Sequence, residues 1–370
     1  MPSKISFPHM GPNTQIFRWF MQELGWEVIM PEKPNSETLS LGAKYSPEFF
    51  CVPFKICLGT FIDVLNRGAE VIATSGGVGP CRAGHYHMVE ADILRRQGYR
   101  FDMIVLEPIG RRPFYFLKCV HQLNRARHPI WRFARILRTG LTKIRVLDEL
   151  ETELQRLRPR ELRRGTAEAA YDQAVALVVE APATLPAVAA AKEAALEIMR
   201  SVPVDREKPV LRVGLVGEIY VLLEPKANLE IEKMLGELGV EVHRDMYLSG
   251  WTAENAVTAI EGTKPKVAAA PYLGELIGGH GQESIGNSVL FGKKQFDGLI
   301  QLAPFTCVPE IVARGILPAV SRDLNLPFLS FFLDEQTGEA GMRTRVEAFV
   351  DMLWQRRRQK EGIVPCHEAI

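Results

Sequence analysis

Three of the six cysteines share a local setting. Cys51 stands in Phe50-Cys51-Val52-Pro53 and Cys307 in Thr306-Cys307-Val308-Pro309, so a Cys-Val-Pro tripeptide occurs twice; Cys81 follows Gly79-Pro80. Proline is favoured at the first position of a helix, because it has no N–H to orphan and its φ is already helical. Each of these cysteines is therefore expected just before a helix start. A thiol there feels the positive end of the helix dipole and free backbone N–H groups, which favour thiolate, the form that binds metal. Cys81 and Cys307 also follow apolar runs that read as strands, and open α/β sheets gather ligands outside the carboxyl ends of their strands. Two such domains facing each other bring Cys51, Cys81 and Cys307 into one cleft.

Structural zinc sites show close cysteine pairs, two to four residues apart, and that spacing is absent here. Iron–sulfur clusters accept dispersed ligands, and a three-cysteine cluster leaves one iron open. On spacing alone iron–sulfur binding, inert buried thiols, zinc and thiol redox chemistry all stay open. Cys57 falls on the apolar face of a helix, Cys119 in a helical stretch and Cys366 in the tail, and all three read as small buried or surface residues.

Other segments carry candidate groups. The glycine-dense run Ser75–Gly84 can bring backbone N–H groups, that of Gly79 among them, close to an anion or to cluster sulfides, and Arg82 within it can stabilise negative charge or pair with a carboxylate. The run Gly278–Asn287 reads as a flexible loop in which His280 and Glu283 are candidates for proton transfer. His9, His85 and His87 are weaker candidates of the same kind. The carboxylates of Asp334, Glu335 and Glu339 either orient site groups or cap a helix. Neither a Gly-Lys-Ser/Thr phosphate loop nor a Gly-x-Gly-x-x-Gly dinucleotide turn is present.

The elements that must position these groups follow a βα rhythm. Residues 1–112 read as one doubly wound α/β lobe, with strands at Lys4–Phe7, Trp26–Met30, Ala69–Thr74 and Phe101–Glu107. The rhythm returns in 207–342, with strands at Val210–Val216, Val240–His243, Gly298–Leu302 and Phe328–Leu333. Between them, 113–206 lacks strand pattern and reads as a helical insertion, while 343–370 is a last helix and tail. Arg111 to Leu147 holds ten Lys or Arg and no acid, either a solvated helical face or a docking surface for an acidic partner or polyphosphate tail.

Composition narrows the classes. With 45 basic against 44 acidic residues and 46% hydrophobic content, the chain reads as globular, and a general nucleic-acid or polyanion binder is disfavoured. No apolar run reaches the length of a membrane span, and a signal-type leader is not seen, so a cytoplasmic location with reduced thiols is expected.

Several segments in order, Lys4–Gly11, Lys44–Cys51, Gly79–Gly84, Gly279–Ser284, Pro304–Glu310 and Asp334–Ala340, resemble stand-alone members of the 2-hydroxyacyl-CoA dehydratase D-component family. The resemblance spans nearly the whole chain apart from the helical insertion. It implies two flavodoxin-like lobes around an oxygen-sensitive 4Fe–4S cluster, held here by Cys51, Cys81 and Cys307, in a single cubane rather than a double one. It also implies single electrons delivered by an ATP-dependent activator iron–sulfur protein, and a homo- or heterodimer. In the dehydratases proper, two subunits of this type form the site, and a ketyl radical is made from the acyl-CoA thioester. The resemblance therefore implies reduction or dehydration of a small molecule, an acyl-CoA in the family. Non-catalytic electron relay or scaffolding beside the activator is the alternative, and a metal-free two-lobed binder is a third. The activator's own nucleotide loops are absent from the sequence, so ATP hydrolysis by this chain is not expected.

Overall fold

The computed structural model describes residues 3–77, 81–107, 113–244, 246–256 and 264–362. Among the described residues eight strands form two parallel sheets: β1 (Lys4–Ser6), β2 (Glu27–Val28), β3 (Val71–Ser75) and β4 (Asp102–Leu106) in the first, β5 (Leu211–Gly217), β6 (Val240–Arg244), β7 (Gly298–Pro304) and β8 (Phe328–Leu333) in the second. The orders are β2-β1-β3-β4 and β6-β5-β7-β8, so the second lobe repeats the winding of the first. This is the flavodoxin-like order, and each sheet reverses direction of winding between its first and third strands. The fold is α/β with two such lobes, as the alternation of apolar runs and amphipathic stretches requires. The inner strand β7 is buried along its whole length, which is why its sequence reads as a continuous apolar run rather than an alternating one.

The Val52–Asn66 helix joins the lobes. Thirteen of its fifteen residues are buried, because it packs in one continuous core with Leu211, Val213, Leu215 and Val221 of the second lobe. A helix apolar on every side needs cover on every side. Polar contacts add to this seam. Buried His9, just beyond β1, meets Glu224 of the second lobe, with Nδ1 and Oε2 2.6 Å apart, and Lys55 donates to Glu335 at 2.7 Å.

Between β4 and β5 the long Ile130–Leu157 helix packs with the Thr166–Glu180 and Leu185–Arg200 helices around Leu147, Leu150, Ala174 and Val188. The basic run is not wholly a solvated face. Lys143 is fully buried, donates to the carbonyls of Val179 and Ala181 at 2.7 Å each, and sits 3.9 Å above the Trp19 ring. It satisfies the carboxyl end of the Thr166–Glu180 helix. Arg244 ties the insertion to the second lobe through Glu151, Glu232 and the Leu222 carbonyl.

Four local readings change. A Ser36–Tyr45 helix forms where no element was expected, started by a capping box between Asn35 and Thr38. Residues Ala227–Leu238 read as a helix in the sequence, but the helix starts at Ile231, because Leu229 and Glu230 adopt positive φ. Pro309–Arg314 reads as a short helix in the sequence, and the helix runs longer, as Val308–Leu324, with Pro318 inside it. The expected loop Gly278–Asn287 is mostly the start of a Gly281–Lys293 helix. Its glycines lower helix propensity, yet a Cβ at Gly281 would stand 2.4 Å from the Pro309 carbonyl oxygen and one at Gly286 1.8 Å from that of Pro265. Close packing therefore sets this helix, overriding propensity.

Candidate metal centre

Cys51, Cys81 and Cys307 each occupy an N-cap position with extended backbone: Cys51 before Val52–Asn66, Cys81 before the 3-10 turn Arg82–His85, and Cys307 before Val308–Leu324. Cys81 follows β3 and Cys307 follows β7, which are equivalent strands of the two lobes. Cys51 precedes the helix between β2 and β3, so the Cys-Val-Pro echo marks two like helix starts at unlike topological positions.

Arg82 ties the three segments together. Its Nη1 donates to the Phe49 carbonyl at 2.6 Å and its Nη2 to the Thr306 carbonyl at 2.7 Å, while the Thr306 hydroxyl donates to the same Phe49 oxygen at 3.0 Å. The residue after Cys81 thus holds the chain just before Cys51 and just before Cys307. On another side, Gly279 at φ +52° packs against Pro309, and a Cβ there would stand 2.9 Å from the Pro309 ring and 3.9 Å from Cys81 Sγ. The Tyr86 hydroxyl meets Cys51 Sγ at 2.5 Å, and its ring stands edge-on to Phe54.

Cys51 and Cys307 are buried and Cys81 is half-buried; all three are free thiols. Burial pushes each thiol up, and the Glu218 carboxylate adds to this in all three. Cys51 and Cys81 repel as anions, as do Cys307 and Cys51, whereas Arg82 favours thiolate at Cys51 and Cys81. In the metal-free protein desolvation therefore outweighs the helix ends that were expected to favour thiolate.

Glu218 escaped the sequence reading. It follows β5 directly and accepts from the Val221 N–H at 3.0 Å, and burial raises its pKa to about 7. The available signal was its place in the first βα turn of the second lobe, at the point where the winding reverses. Glu310 also escaped: fully buried, it accepts from Ser284 Oγ at 2.9 Å and Gln301 Nε2 at 2.9 Å, and burial raises it to about 7.

His280 caps the Gly281–Lys293 helix, adjacent to Gly279, and burial lowers its pKa against the pull of Glu283. Glu283 lies in the first turn of that helix and pairs with Lys266 at 3.4 Å. His280 thus follows the glycine whose backbone packs beside Cys81, while Glu283 pairs with Lys266. His9 belongs to the lobe seam, and burial lowers the pKa of His87. Asp334 closes its own turn through Thr337, and Glu335 holds Lys55. Cys57 is buried, and buried Cys119 donates to the Val105 carbonyl at 3.1 Å. Gly79 and Cys366 lie outside the described residues.

Among the described residues no three His, Cys, Asp or Glu side chains stand close enough to hold a single metal ion. Ligands of a polynuclear cluster serve different irons and so stand further apart than ligands of one ion. The donor set fits such a group: three thiols at helix starts, a glycine backbone on one side and a guanidinium fixing the loops. Two grooves lie elsewhere. One of 680 Å³ is lined by Arg156, Arg160, Arg200, Met199 and Val204, and one of 500 Å³ by Lys208, Arg212, Arg357 and Lys360.

Fold and site define a two-lobed α/β protein with a thiol-lined junction between its lobes. Residues 9–73 match the family model described as a CoA enzyme activase uncharacterised domain (DUF2229). The match covers the first lobe from His9 to β3 and includes Cys51, while Cys81 and Cys307 lie beyond it. No curated protein matches the chain. Among the described residues no helix is long and apolar enough to cross a membrane.

Proposed function

We propose that this chain is an iron–sulfur protein whose Cys51, Cys81 and Cys307 hold one 4Fe–4S cluster at the lobe junction. The observation that carries the reading is the Arg82 bridge, which fixes the segments of all three cysteines against one another. The CoA enzyme activase-related match over residues 9–73 supports the link to acyl-CoA chemistry. A cluster with three thiolate ligands supplies a one-electron site and one iron open to a small molecule. The chain's own part is positional. Arg82 offsets negative charge beside Cys51 and Cys81, Gly279 lets the backbone approach the Cys81 sulfur, and neutral His280, next in sequence to Gly279, exchanges a proton. In this reading an ATP-dependent activator supplies the electrons, and the substrate is a small molecule, an acyl-CoA by resemblance, reduced or dehydrated by a homo- or heterodimer in the cytoplasm.

A second reading has its own support. Phe49, Phe305 and Val308, which flank the cysteines, are 68%, 54% and 63% exposed. Exposed apolar side chains of this size suit contact with a partner protein, as in a relay or scaffold without substrate chemistry.

Anaerobic reconstitution with iron and sulfide tests the first reading. A brown protein with about four irons per chain is expected, and Cys81→Ser should lose most of the colour and iron. A chain that stays colourless and iron-free overturns it. Supplying an activator, ATP and acyl-CoA separates the readings: turnover supports catalysis, and cluster reduction alone supports relay.

A further inference from the structure

Glu90 lies on the Tyr86–Arg96 helix, one turn beyond the tyrosine that meets Cys51. It is 1% exposed, and neither carboxylate oxygen has a hydrogen-bond partner among the described residues. An isolated carboxylate is costly in such surroundings, and burial raises Glu90 to about 8. Its position relates to the cysteines through Cys57 of the Val52–Asn66 helix. The Cys57 thiol is pushed up by burial and then by Glu90, and Glu218 and Cys51 raise it further. Glu90 and Glu218 thus both act on Cys57, which also feels Cys51, while Tyr86 on the same helix as Glu90 touches Cys51.

We infer that Glu90 is a redox-linked proton site, which binds one proton as the cluster held by Cys51, Cys81 and Cys307 accepts one electron. The inference rests on the iron–sulfur reading above. The electron comes from a low-potential one-electron donor and the proton from water, so the net charge of this interior does not change; reoxidation returns both. One helical turn is about 5.4 Å, which, with the Tyr86 side chain reaching Cys51, places Glu90 on the order of 10 Å from Cys51. At that distance and an effective dielectric of about 20, one added charge raises an acid by roughly one pH unit. Glu218 and Glu310 titrate nearer 7 and therefore act at lower pH.

The test is a dye-mediated redox titration of the reconstituted, full-length protein, read by cluster absorbance and EPR from about pH 6 to 10. The midpoint potential of the unsubstituted protein should fall by about 59 mV in all as pH rises through roughly 8 to 9, steepest midway at about half of 59 mV per unit. Glu90→Gln should keep its iron and lose that step, while Glu90→Asp, still an acid, should keep a step at another pH. Equal slopes above pH 8 in the unsubstituted protein and Glu90→Gln overturn the proton site, as does a level potential in the unsubstituted protein. Chains without iron overturn the iron–sulfur reading and this inference together, whereas iron-loaded chains with a level potential overturn this inference alone.

Discussion

The Arg82 guanidinium donates to the Thr306 carbonyl oxygen at 2.7 Å, so the residue after Cys81 is bound to the residue before Cys307. Its other arm reaches Phe49, two residues before Cys51. Hydrogen bonds from a charged donor contribute about 1.5–3 kcal/mol each when an acceptor would otherwise be left unmet. Arg82→Ala should therefore lose roughly 2–4 kcal/mol in denaturant unfolding, discounted for the exposure of part of the clamp. It should also retain severalfold less iron after reconstitution. Arg82→Lys keeps the charge but lacks the fork that spans two carbonyls, so an intermediate loss is expected. If Arg82→Ala binds iron as well as the unsubstituted protein, the loops are held by other contacts.

The second cross-lobe pair makes a different prediction. Lys55 is 4% exposed and its ammonium is neutralised by Glu335 at 2.7 Å. Removing only the carboxylate leaves a buried cation, which costs about 3–5 kcal/mol, while replacing the lysine by an apolar residue of similar length is often near neutral. Glu335→Ala should thus destabilise the protein more than Lys55→Met, as read from urea midpoints. The reverse order would show that the Lys55 side chain, not its pairing, holds the seam.

Much of this arrangement was legible beforehand. The two sets of four strands follow from apolar runs broken by glycine, and the cysteines at helix starts follow from Val-Pro after Cys51 and Cys307. What escaped depended on contacts distant in sequence. Glu218 and Glu310 look like ordinary surface acids until the sheet winding buries them, and His9 looks like a site histidine until Glu224 arrives from the other lobe. The Gly281–Lys293 helix defied propensity because its glycines answer to Pro265 and Pro309 rather than to their own neighbours.

Thiol reactivity follows from the electrostatics. Cys51, Cys81 and Cys307 are all raised above the ordinary thiol range, by burial first, so at neutral pH the metal-free protein holds them as thiols. Thiolate is the nucleophile. Iodoacetamide at pH 7 should alkylate them more slowly than a cysteine in an unfolded peptide, with the rate rising as pH climbs beyond 9. Half-buried Cys81 should react before Cys51 and Cys307. Mass spectrometry of timed samples checks both the slowness and the order, and fast labelling at neutral pH would mean that the helix ends and Arg82 outweigh burial after all.

The buried acids also set how stability responds to pH. An acid whose folded-state pKa is raised keeps its proton in the native chain while the unfolded chain loses it, so stability falls as pH climbs from the ordinary value of 4.5 to the raised one. For Glu90 that window runs from 4.5 to about 8, at roughly 1.4 kcal/mol per unit. Glu218 and Glu310 add shorter windows ending near 7. Glutamine at position 90 cannot ionise, so the Glu90→Gln protein should match the unsubstituted one near pH 4.5 and exceed it by on the order of 3–5 kcal/mol at pH 9. Paired guanidinium unfolding curves across this range isolate the Glu90 contribution, because every other titrating group is common to both proteins. A gap that does not widen with pH would mean that Glu90 ionises normally in the fold, with water reaching it, and would remove the basis for treating it as a proton store.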